Sequence, residues 1–175
     1  MRRARYARAA ALIGGAAAVA LAACSSEHSA VVGPTWQVTG LYTDPGESGD
    51  LPADAAGRAA LSFGEGTVTG STGCSRIQGI VRFSAAGSPA AAQDADALTF
   101  DRVDIENTEN TENAGDAGDA PGTPCVGGAA HVDATLRELL RGEYSLSRPS
   151  EAELVLTQRS EAVDAPAIRL TTNAS

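Results

Sequence analysis

The sequence predicts a mainly β fold of the α+β type: a curved antiparallel sheet or incomplete small β-barrel with one covering α-helix. Three observations predict it. Apolar residues recur at every second position in short runs, and Gly, Pro, Ser or Asp ends each run. Only one segment has helical spacing. Most connections are short, which favours antiparallel pairing over the long crossovers of parallel sheets.

Taken in order, residues 35–42 (TWQVTGLY) alternate with Trp36 and Val38 on one face, and Asp44-Pro45-Gly46 breaks the run. Residues 50–58 are polar and Ala-rich and read as loop. Ala59, Leu61 and Phe63 form the next strand. Gly64-Glu65-Gly66 turns it into residues 67–69, a hairpin. After the G-S-T-G punctuation at 70–73, Ile77, Gly79, Val81 and Phe83 have period two. Gly87-Ser88-Pro89 opens a loop to Asp96. Leu98 and Phe100, then Val103 and Ile105, form one strand whose phase shifts midway, the mark of a bulge.

Residues 129–141 are the one helix, because Val132, Leu136, Leu139 and Leu140 make a single apolar stripe. Asp133 sits near its start, Arg137 and Arg141 near its end, as the helix dipole prefers, and Gly142 is a natural stop. Tyr144 and Leu146 follow in a strand that Arg148-Pro149-Ser150 turns. Leu154 and Leu156, then Ile168 and Leu170, supply the last two strands.

The chain has 175 residues, 13 Lys+Arg against 22 Asp+Glu, and a formal charge of −9. That length suits one domain plus a leader. Residues 1–8 are basic, 9–20 are apolar, and Leu21-Ala22-Ala23-Cys24 follows. The apolar run is too short to span a bilayer and has the flanks of a signal peptide. Its last four residues resemble the bacterial lipobox. Residues 1–23 are therefore expected to be removed and Cys24 to carry acyl chains that anchor the protein on the outer face of the cell membrane. Residues 24–34 would be a small-residue tether, His28 in it a solvated spacer, and 35–172 the domain. Without residues 1–23 the charge is −13, which argues against a nucleic-acid partner.

Residues 106–122, from the E-N-T repeat to A-G-D-A-G-D-A-P-G, are acidic and lack large apolar side chains. They read as a surface loop inside the domain. Calcium binding by Asp116 and Asp119 is the functional alternative, and the EF-hand spacing is missing.

With Cys24 lipidated, Cys74 and Cys125 remain as a pair in an oxidising compartment. A disulfide is the default reading, with two free buried thiols as the alternative. No Cys/His spacing resembles a metal site, and no phosphate loop or dinucleotide fingerprint occurs, so no metal or cofactor is expected. The domain's single His, His131, starts the helix, away from any nucleophile elbow. Asp101 with Asp104, or Glu151 with Glu153, would be paired carboxylates only if a pocket gathered them. Cys74 beside Arg76 is the one reactive-thiol option, and Trp36 is a core anchor more readily than a ligand platform. An enzyme is not expected.

The pattern resembles the META domain, the HslJ-like family of small envelope proteins. Trp36 and Val38 open the domain. Gly70, Gly73, Cys74, Ile77 and Gly79 follow the family's G-x-x-G-C-N-x-x-x-G signature, with Ser75 in place of the Asn. Thr123 and Cys125 resemble its later T-x-x-x-C element at a shorter spacing. The resemblance implies a β-rich envelope domain linked to stress and drug tolerance, with no agreed enzymatic activity. Together these observations lead to the expectation of a monomeric, lipid-anchored interaction module in envelope maintenance. Its partners would be the membrane, through Cys24, and an envelope protein or lipid. The alternative is a lipid or hydrophobic-peptide carrier that uses the barrel-like interior.

Overall fold

The computed structural model describes residues 31–44, 48–107 and 125–172. The expected signal peptide, Cys24, the expected tether up to residue 30 and residues 108–122 of the acidic segment lie outside the described residues. So do Thr123, Asp116 and Asp119.

Among the described residues nine strands form in chain order: β1 (Thr35–Tyr42), β2 (Ala60–Phe63), β3 (Thr67–Ser71), β4 (Ser75–Ala85), β5 (Ser88–Pro89), β6 (Ala97–Asn107), β7 (Gly142–Ser150), β8 (Glu153–Gln158) and β9 (Ala167–Thr171). A 3-10 turn, Ala92–Asp94, precedes β6, and the helix α1 (Gly127–Leu139) joins β6 to β7. The sheet runs β3-β2-β1-β9-β8-β7-β6-β4, and β3 also pairs with β4. It closes as an eight-stranded antiparallel barrel, with β5 a two-residue flap on β4. The expected curvature therefore goes to completion. Closure leaves no open sheet side, and α1 covers one end of the barrel.

Each strand buries alternate residues, as the period-two runs require. Trp36, Val38, Leu61, Ile77, Leu98, Leu154, Leu156, Ile168 and Leu170 are all at most 1% exposed. The outward positions of β4 are Arg76, Gln78, Ile80 and Arg82, all exposed. This wall is the inverse of a lipid-facing barrel, whose outer band is apolar.

The phase shift in β6 is a bulge. Ile80 pairs with Arg102 but Val81 pairs with Phe100, so Asp101 is the extra residue. Its carboxylate points outward and accepts two hydrogen bonds from Arg82, at Nε and at Nη2, the latter 2.7 Å long. Arg148 lies within β7 instead of in a turn. The β7–β8 register shifts between Ser147 and Ser150, which accommodates Pro149 and its missing N–H.

Strand alternation sorts the connections. The 43–59 and 72–74 connections, the α1 segment and 159–166 gather at one end, here the helix end. The chain enters at the other, with the short β2–β3 and β7–β8 turns and the β4–β6 link. At this entry end Val31 is already buried and its carbonyl accepts Trp36 Nε1–H at 2.9 Å. Val32 bridges to Phe63 and Gly33 N–H donates to the Phe63 carbonyl. Val31, four residues ahead of the expected boundary at residue 35, is thus already part of the core.

Candidate functional site

The residues singled out by the signature meet at the helix end, where the β3–β4 turn touches the start of α1. Gly70 lies in β3 opposite Ile77 of β4, one residue before the strand ends, and Trp36 stands in the core of the other end. The turn is held by one hydroxyl. Thr72 Oγ1 accepts the backbone N–H of Cys74 at 3.2 Å and of Ser75 at 2.9 Å, and Thr72 N–H donates to the Ser75 carbonyl. Gly73 sits at φ +93°, which a side chain would strain, and a Cβ there would also press on Arg58. Gly79 stands beside the bulge; a Cβ on it would lie 2.6 Å from the Arg102 carbonyl oxygen. The two glycines thus have geometric reasons: one shapes the turn and the other lets β4 and β6 approach.

Three links bind this turn to the helix. Cys74 and Cys125 are joined Sγ to Sγ, with Cα atoms 5.5 Å apart. Thr72 Oγ1 donates to Asp133 Oδ1. Arg137 then spans the site. Its Nε donates to Asp133 Oδ2 at 2.7 Å, Nη1 to the Ile105 carbonyl at 3.0 Å, and Nη2 to Ser75 Oγ at 2.7 Å and Asn107 Oδ1 at 2.8 Å. Thr72 and Ser75 are both 1% exposed, so these polar groups depend on one another for satisfaction. Partial burial pushes the Asp133 carboxyl up. Hydrogen bonds from Arg137, Thr72 and Ser75 outweigh that and hold it below the usual carboxylate range.

The helix start is capped from outside. Val126 supplies no side-chain cap, and Asp54 Oδ2 of the β1–β2 connection accepts Gly128 N–H at 2.8 Å. Below α1, Ala129, Val132, Leu136 and Leu139 enter the core, and Tyr144 Oη donates to the Leu139 carbonyl. Burial pushes the Tyr144 phenol well up, so it stays a neutral donor.

The other candidates do not come together. His131 is exposed and faces an open cleft with Tyr42, Asp44 and Asp50. Asp101 and Asp104 lie on the outer wall, each beside an arginine, Arg82 and Arg102. Glu153 pairs with Arg169 at 3.4 Å, and Glu151 is in the exposed β7–β8 turn. Cys74 is bonded to Cys125, so its sulfur is no free nucleophile. Among the described residues no group of three or more His, Cys, Asp or Glu could hold a metal ion. Trp36 is a core anchor, packed inside with its indole N–H satisfied.

Asn107, Asp54 and the latch made by Thr72, Asp133 and Arg137 were not foreseen as one site. The Asp133/Arg137 spacing of four residues was the available signal, since it places both side chains on one helix face. Nothing in the sequence pointed to Asn107 or Asp54. No protein family, no curated protein and no solved structure matches this chain.

Proposed function

We propose that this chain is a lipid-anchored extracytoplasmic protein with a META-like domain, a non-enzymatic interaction module in envelope maintenance or stress tolerance. The packing of the barrel carries the choice of module over carrier. Trp36, Tyr144, Leu61, Leu98, Leu154 and Leu156 fill the interior at 0–1% exposure, so the space a lipid tail or apolar peptide would occupy is taken by the protein's own side chains. The lipobox-like Leu21-Ala22-Ala23-Cys24 supports the anchor. Among the described residues no helix is long and apolar enough to cross a membrane. The META-like signature supports the family reading through its turn, bonded by Cys74 to the segment that begins α1.

The test is fractionation followed by native mass spectrometry of protein extracted from its own membrane. Cys24→Ala should move the chain from the membrane to the soluble extracytoplasmic fraction; unchanged attachment defeats the anchor. A stoichiometric protein partner supports the module. A co-purifying lipid or apolar peptide in place of a protein overturns it in favour of the carrier.

A further inference from the structure

We draw no further inference here: the strongest candidate, the open cleft at the helix end lined by Tyr42, Asp44, Asp50 and His131, rests on two aspartates whose carboxylates accept from the adjacent Thr43 and Ser48 hydroxyls, and no second feature among the described residues points to a ligand there.

Discussion

At the entry end of the barrel the closure is made of apolar bulk. Trp36, Val31 and Ala92 fill it; the Val31 carbonyl satisfies the indole N–H, and Arg148 Nη2 donates to the Ala92 carbonyl while its buried Nε has no hydrogen-bond partner among the described residues. At the helix end α1 also brings an apolar stripe, but its position is set by directional links, the disulfide and the Thr72–Asp133–Arg137 network. Bulk closes the first end without regard to pH or redox state. The second end answers to both, because a carboxylate and a pair of sulfurs take part. One barrel therefore has an inert end and a responsive one.

The largest expected effect lies at the inert end. Trp36→Ala should cost about 3–5 kcal/mol, as large-to-small core changes do, which is enough to unfold a marginal domain. Denaturant titration measures it, and a loss under about 1 kcal/mol would mean that this closure is not the apolar plug described. The responsive end should show its redox dependence next. Cys74 and Cys125 are 51 residues apart, and loop-closure entropy for that length gives about 4 kcal/mol. Cys74→Ser with Cys125→Ser, or reduction of the wild type, should lower stability toward that amount. Equal stability with and without reductant would leave the polar latch as the only tie.

The smallest effect separates charge from shape. Asp133→Asn leaves Thr72, Ser75 and Arg137 incompletely satisfied and should cost about 1–3 kcal/mol at neutral pH. The sign with pH follows from the depressed carboxyl. Its contribution is complete above the ordinary value of 3.8 and drains away as pH falls through the lower folded value. The gap in melting temperature between wild type and variant should be wide at neutral pH and narrow under acid. A gap that does not change with pH would show that shape, not charge, holds α1.

Local chemistry was readable from the chain, and long-range satisfaction was not. Leu98 and Phe100 against Val103 and Ile105 announce the β6 bulge, because a residue added to a strand must flip every side chain after it. Gly64-Glu65-Gly66 announces its hairpin, and the Val132, Leu136 and Leu139 stripe the buried face of α1. Barrel closure was not legible, since β1 pairs with β9 across more than a hundred residues and no local pattern encodes that partnership. Arg148 looked like a turn residue beside Pro149, yet the shifted register keeps it in the strand. At the candidate site the spacing of Gly73, Cys74 and Gly79 could be seen, while Asn107 and Asp54 have roles only because folding brings them to Arg137 and to Gly128.

The pairing of β1 with β9 also imposes a schedule. Leu41 lies against Ile168 and Val38 against Leu170. A polypeptide made from its N-terminus exposes the first strand long before its mate exists. Until the last strand arrives, β1 presents one raw hydrogen-bonding edge and Trp36 has only part of its wall. Such distant pairing slows folding and leaves the nascent chain prone to sticking. The exposed edge of β1 is thus a hazard of the unfinished chain that closure of the barrel removes.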